Sequence, residues 1–170
     1  MVLCVVHGLI SVIDHGSSHN SIHPVPQPLR PSRRARCPSF TGTGGGTVNT
    51  QTYIGTYETY TLVVNDDGTI SFKSTVFDNV FLRLDATGVA AGQNLGPGGG
   101  TVNAQFTARS LERFKIHKKD DPAGTYQGIV GIESAASPGR YLRLDGSANK
   151  VNAQGVFKTY EEFKILVVGQ

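Results

Sequence analysis

The chain has 170 residues, enough for one domain with a sizeable core. Its formal net charge of +3 is too small to argue for nucleic acid as a partner. No run reaches the roughly 18 apolar residues that span a bilayer, so no membrane is expected as a partner.

The chain opens on an apolar stretch, residues 2–13, interrupted by His7 and Ser11. It has the length of a signal-peptide core but lacks the basic segment in front, and Asp14-His15 comes directly after it. It is therefore read as a strand or leader, and the protein is placed in the cytoplasm, with secretion as the alternative. Residues 14–38 hold five prolines and the cluster Arg30, Arg33, Arg34 and Arg36. Proline removes ladder donors, so no regular strand is expected through this stretch. Residues 1–40 are thus expected to be a leader, disordered or irregular, with residues 1–38 dispensable to the domain interior. Cys4 and Cys37 both lie in it and cannot staple the repeated body of the chain.

From residue 41 the chain repeats itself. Gly45-Gly46-Thr47-Val48-Asn49-Thr50-Gln51 returns as Gly99-Gly100-Thr101-Val102-Asn103-Ala104-Gln105, and again as Asn149-Lys150-Val151-Asn152-Ala153-Gln154. Nine residues after each Asn stands Glu58, Glu112 or Glu161, and eleven after it Tyr60, Phe114 or Phe163. A second unit precedes two of the copies. Phe81-Leu82-Arg83-Leu84-Asp85 matches Tyr141-Leu142-Arg143-Leu144-Asp145, and Ile70–Ser74 matches Val130–Ser134. Turn residues separate these runs at Asn65-Asp66-Asp67-Gly68, at Asp120-Asp121-Pro122-Ala123-Gly124 and at Pro138-Gly139. The repeats then span about 44–64 (a partial copy), 68–118 and 126–167.

Leu84 and Val102 are 18 residues apart, whereas Leu144 and Val151 are 7 apart, so repeat two carries an 11-residue insertion within 86–100. The first half of repeat one is not legible. By register its Leu-Arg-Leu strand should fall near 28–40, where Leu29-Arg30 is flanked by Pro28 and Pro31. Either residues 2–13 supply an irregular first hairpin, or the leader replaces the domain's own first strands; the second is the favoured reading.

Period-two alternation in Val102, Ala104, Phe106 and in Val151, Ala153 predicts strands with these side chains inward. Val48, Tyr60, Leu82, Leu84, Phe114, Leu142, Leu144 and Phe163 are expected to join them in the core. Four short strands per repeat, each unit with one apolar face it cannot bury alone, predict an all-β structure closed around a pseudo-threefold axis. A β-trefoil with an incomplete or irregular first repeat does this in about this many residues.

The Leu-Arg-Leu-Asp strand, Gly-Gly-Thr-Val-Asn-Ala-Gln and the Glu-x-Phe-Lys-Ile strand resemble the fascin-like, actin-crosslinking β-trefoil family over residues 44–167. Where members of that family often carry Trp before the Glu, this chain has Tyr57, Leu111 and Tyr160. The resemblance implies a non-enzymatic module that binds or crosslinks a protein partner, filamentous actin. A carbohydrate-binding, lectin-like trefoil that takes glycans is the alternative, although the Gln-x-Trp motif of ricin-type lectins is absent.

No catalytic signature and no P-loop is present, and no cofactor is expected. The Gly-rich runs lead into strands, not helix N-termini, and read as turns. Glu58, Glu112 and Glu161, repeated at equivalent places, read as turn or strand contacts. Features found only once cannot be explained by a shared turn. These are Gln93 and Asn94 in the insertion, together with Arg109, Arg113, Lys115, His117, Lys118 and Lys119. Alternation puts Arg113, Lys115 and His117 on one strand face, a row suited to an acidic partner. The alternative sugar-binding set is Asn49, Gln51, Asn103, Gln105, Asn152 and Gln154, whose amides both donate and accept. Tyr53 and Phe106 are the available aromatic platforms, with Phe106 expected to face inward.

Overall fold

In a computed structural model the protein is described at residues 2–7, 37–40, 45–52, 54–120, 122–145 and 148–168. Twelve strands are found among the described residues: β1 (Val2–His7), β2 (Cys37–Phe40), β3 (Val48–Gln51), β4 (Thr59–Val64), β5 (Ile70–Ser74) and β6 (Val80–Asp85), followed by β7 (Thr101–Phe106), β8 (Phe114–Asp120), β9 (Tyr126–Ser134), β10 (Tyr141–Asp145), β11 (Lys150–Gln154) and β12 (Phe163–Val168). The all-β expectation holds.

Each repeated run folds into the same piece. β6 pairs with β7 and β10 with β11 in one register, with Arg83 opposite Asn103 and Arg143 opposite Asn152. The turn in front of each pair is also the same: the Ser74 hydroxyl accepts the Phe77 amide at 3.0 Å, and the Ser134 hydroxyl accepts the Ser137 amide at 3.2 Å. Each hydroxyl holds an amide three residues on, which fixes the equal hairpin lengths seen in the sequence.

Around these hairpins runs a nearly closed ring in the order β1, β4, β5, β8, β9, β12 and back to β1. The β5–β8 and β9–β12 steps each rest on a single register pair, Ile70 with Phe114 and Phe163 with Val130. Closure leaves few exposed strand edges.

The core lies inside this ring. Val48, Val102, Val151, Leu82, Leu84, Leu142, Leu144, Tyr60, Phe114 and Phe163 are all buried, as the alternation predicts. Phe40, Tyr60, Phe72 and Phe114 form an edge-to-face chain with centroid separations of 5.1, 6.1 and 5.5 Å.

Two findings differ from the expectation for residues 1–40. β1 lies between β12 and β4 and is parallel to both. It fills the place in the ring that β5 and β9 fill elsewhere, but their ring pairings are antiparallel. β2 is the partner of β3, with Cys37 opposite Gln51 and Phe40 opposite Val48. The first-repeat counterpart of Phe-Leu-Arg-Leu is therefore Cys37-Pro38-Ser39-Phe40, and Ser39 stands where the other repeats carry arginine. Pro38 is tolerated because, among the described residues, β2 pairs with β3 alone, and the Pro38 carbonyl accepts the Tyr60 hydroxyl at 2.7 Å. β2 falls at the end of the 28–40 window that the register gives; Leu29-Arg30 lies outside the described residues, along with the arginine cluster and Tyr53.

Phe106 also departs from expectation: it is 55% exposed. β7 ends there, and the next residue, Thr107, has φ of 65°, so the chain turns before the ring can reach the core.

Candidate functional site

The three recurring glutamates are turn caps. Each closes a short 3-10 turn (Thr56–Glu58, Ser110–Glu112, Thr159–Glu161), and each is buried. Their carboxylates accept the amides of Gly55, Arg109 and Lys158 at 2.8, 2.8 and 2.9 Å. Arg83 and Arg143 come within 3.7 Å of Glu112 and Glu161, and each also donates to the Asp two residues on, Asp85 or Asp145, at 3.0 Å. Burial pushes the Glu161 carboxyl up, against the opposing pull of the Lys158 amide and Arg143. Asp85 also holds the amide and hydroxyl of Thr87, which keep its carboxyl below the usual range. These ionisable groups hold the frame together.

The basic row of repeat two is not a free positive face. Phe114 and Ile116 point into the structure, so Lys115 and His117 point out, as alternation predicts. Acidic residues meet most of the row, however. Arg113 donates to Asp67 at 2.7 Å, His117 Nε2 lies 2.7 Å from Glu133, and Lys119 pairs with Glu162. Hydrogen bonds from the Thr69 hydroxyl and amide, then Arg113, bring the Asp67 carboxyl down to about 2. Desolvation raises Glu133, but the Gly139 amide, His117 and Lys115 together hold it below its ordinary value. Lys118 lies over the Tyr126 ring. Lys115 and Arg109 remain exposed, with no acidic partner in direct contact among the described residues.

The insertion of repeat two does not project into solvent along its length. It lies on the hairpin of repeat three. The Gly99 amide donates to the Ala153 carbonyl at 2.9 Å, and Ala153 returns the bond at 2.7 Å. The Gln154 amide nitrogen donates to the Leu95 carbonyl at 2.7 Å and to the Asn94 side chain at 3.1 Å. Its oxygen accepts the Leu95 amide at 2.9 Å. Asn152 donates to the Pro97 carbonyl at 2.8 Å, and Arg143 donates to the carbonyls of Pro97 and Gly96 at 3.2 and 3.4 Å. Gly155 makes the docking possible, since a Cβ there would stand 2.0 Å from the Ala90 carbonyl. Asn94 is thus part of an internal contact, while Gln93 stays exposed.

The same surface of repeat two is an open cleft of about 420 Å³ lined by Arg83, Gln105, Phe106, Arg109, Ser110 and Glu112, among others. Asn103 Oδ1, on the same strand as Gln105, is buried with no hydrogen-bond partner among the described residues. In repeat one, Asn49 accepts from Gln51 at 3.4 Å. The six amide positions are thus in different states: paired with each other in repeat one, occupied by the insertion in repeat three, and in repeat two divided between Gln105, which lines the cleft, and Asn103, whose oxygen is buried. The amide residues alone do not separate these states, because they are the same in all three repeats.

Among the described residues no group of three or more His, Cys, Asp or Glu side chains is placed to hold a metal ion. None of the helices among them is long and apolar enough to cross a membrane. Compared with models of known protein families and with curated protein sequences, the chain matches none.

Proposed function

We propose that this chain is a non-enzymatic β-trefoil of the fascin-like kind that binds a protein partner, filamentous actin by the resemblance of its repeats. The trefoil reading is supported by the pairing scheme. β5 pairs with β4, β6 and β8, and β9 pairs with β8, β10 and β12, so successive repeats make the same connections. β1 takes the third equivalent place between β12 and β4.

The partner reading rests on Arg109. It is exposed and lines two clefts of repeat two, one shared with Arg83 and the other with Arg113. With Lys115, which lies opposite Glu133 without a direct ion pair, it supplies exposed positive charge, which suits an acidic filament surface. Crosslinking needs two contacts, so one copy would have to offer two faces or form a dimer. The test is co-sedimentation of the full chain with filamentous actin. Binding should weaken with added salt, since exposed charges are screened beyond ~8–10 Å. Arg109→Glu with Lys115→Glu should abolish it without unfolding the chain, because neither side chain is in direct contact with an internal acid.

The carbohydrate reading is favoured by one observation, the exposed Phe106 ring beside Gln105 in the open cleft. A glycan array on the same chain tests it. Binding that ignores salt and is displaced by free sugar would replace the protein reading.

A further inference from the structure

We infer that the open cleft of repeat two is a receptor for an extended, uncharged peptide segment, read through its main-chain carbonyls. The inference rests on the protein-binding reading and gives the chemistry of what is bound. The observation that carries it is inside the molecule. Repeat three presents Arg143, Asn152 and Gln154 on paired strands and already holds such a segment, Asn94-Leu95-Gly96-Pro97.

The geometry of that contact defines the ligand. Its polar bonds go to the carbonyls of Leu95, Gly96 and Pro97, to the Leu95 amide and to one side-chain amide, that of Asn94. No charge is involved on the bound side. Gly and Pro suit it because the chain must pass close to the strand and offer carbonyls without an amide at each step.

Repeat two has the same three residues in the same register, as Arg83, Asn103 and Gln105. Arg83 uses Nη2 on Asp85 and approaches Glu112 through Nε, as Arg143 does with Asp145 and Glu161. Its Nη1, the atom by which Arg143 reaches the Pro97 carbonyl, has no acceptor among the described residues. In repeat three Arg143 Nη1 also lies 3.4 Å from Asn152 Oδ1. The matching oxygen, Asn103 Oδ1, is the buried atom left without a donor. Arg83 is 21% exposed where Arg143 is 3%, which fits a cation waiting for the cover its counterpart has. Phe106 stands where repeat three has Gly155. A ligand therefore cannot follow the path of Ala90–Gln93, and the shared part of the site is the stretch that takes Asn94–Pro97.

The experiment uses the full chain and a capped peptide, Gln-Asn-Leu-Gly-Pro-Gly, which is residues 93–98, beside a scrambled control. Binding is read by calorimetry and by amide shifts of residues 103–112. Saturable one-to-one binding is expected, with the scrambled peptide inert. Gln105→Ala should weaken it at least tenfold while leaving the thermal midpoint in place, since Gln105 makes no internal side-chain bond among the described residues. Arg83→Lys, which keeps the charge but loses the forked donor, should weaken it as well. No peptide binding, or binding indifferent to both substitutions, overturns the inference. So does displacement by free sugar with shifts at Gln105 and Phe106. Loss of peptide binding alongside intact, salt-sensitive actin co-sedimentation would leave the protein-binding reading standing and remove only this site.

Discussion

Repeats two and three hold the same arginine, asparagine and glutamine in the same register, yet the two surfaces are in opposite states. In repeat three the trio is covered by the insertion. Arg143 is 3% exposed and Gln154 is buried. In repeat two Arg83 is 21% exposed and the cleft beside it is open. Both hairpins take the Gly-Gly run of the preceding repeat on their backbone, Gly45 and Gly46 at Ala104 and Gly99 at Ala153. The difference arises from two local changes: eleven extra residues carry the contact in repeat three on, as a strap, over the side chains of Arg143, Asn152 and Gln154, and Gly155 leaves room for them where Phe106 would block them. Duplicated residues thus give equal frames but unequal surfaces. A repeated motif identifies what the fold needs, and its surroundings decide whether any of it is left for a partner.

The likeness of the two repeats rests first on a shared core. Phe114 and Phe163 are both fully buried at matching positions. Truncating either to Ala should cost about 3–5 kcal/mol, by a similar amount in the two repeats, in denaturant unfolding. A cost confined to one of them would break the equivalence.

The arginines should separate the repeats. Arg143→Leu removes the cation facing Glu161 and the donors to Gly96 and Pro97. Breaking a buried pair in this way costs about 3 kcal/mol or more. Arg83→Leu, at a more exposed pair with no strap to hold, should cost clearly less by the same measurement. Equal losses would mean that the insertion adds nothing to the environment of Arg143.

A smaller effect isolates the strap itself. Gln154→Ala leaves the Leu95 amide without its partner and the Leu95 carbonyl with the Gly98 amide alone, and should cost about 1–3 kcal/mol. Gln105→Ala should stay within about 0.5 kcal/mol of the parent, since its side chain makes no hydrogen bond among the described residues. Faster hydrogen exchange at Leu95 and Gly99 in the Gln154 variant, and not in the Gln105 variant, would locate the loosened segment.

The smallest predicted effect is electrostatic and concerns the basic row. Asp67 titrates at about 2 in the folded chain against 3.8 unperturbed, chiefly through Thr69 and then Arg113. A lowered folded value means that this group favours folding above the unperturbed value and loses that contribution as pH falls toward 2. Thr69→Val should move the Asp67 midpoint upward in a carboxyl titration followed by NMR. An unchanged midpoint would transfer the effect to Arg113 and make that arginine harder to free for a partner.

Much of the frame was legible in the chain. The alternation of Val102 and Ala104 placed them inside, the nine-residue step from Asn to Glu placed the three caps, and the equal spacing from Phe72 to Phe81 and from Ile132 to Tyr141 gave equal turns. These features are local. Strand alternation, turn length and a cap three residues from its amide are set by bonds along the chain, so a pattern of residues is enough to fix them.

What only the tertiary structure decided is which side chains are already in use. Asp67 reaches Arg113 across 46 positions, and Leu95 reaches Gln154 across 59. The spacing of Arg113, Lys115 and His117 showed a basic row but not the Asp67 and Glu133 that meet it. Repetition of Asn and Gln showed three like patches but not that one is covered and one open. The place of β1 in the ring was decided there too, because its partners, β12 and β4, are distant in sequence, and strand pairing between distant segments is selected by the closed sheet as a whole. β2 pairs locally, with the next strand β3, at an edge where Pro38 does not interrupt a ladder.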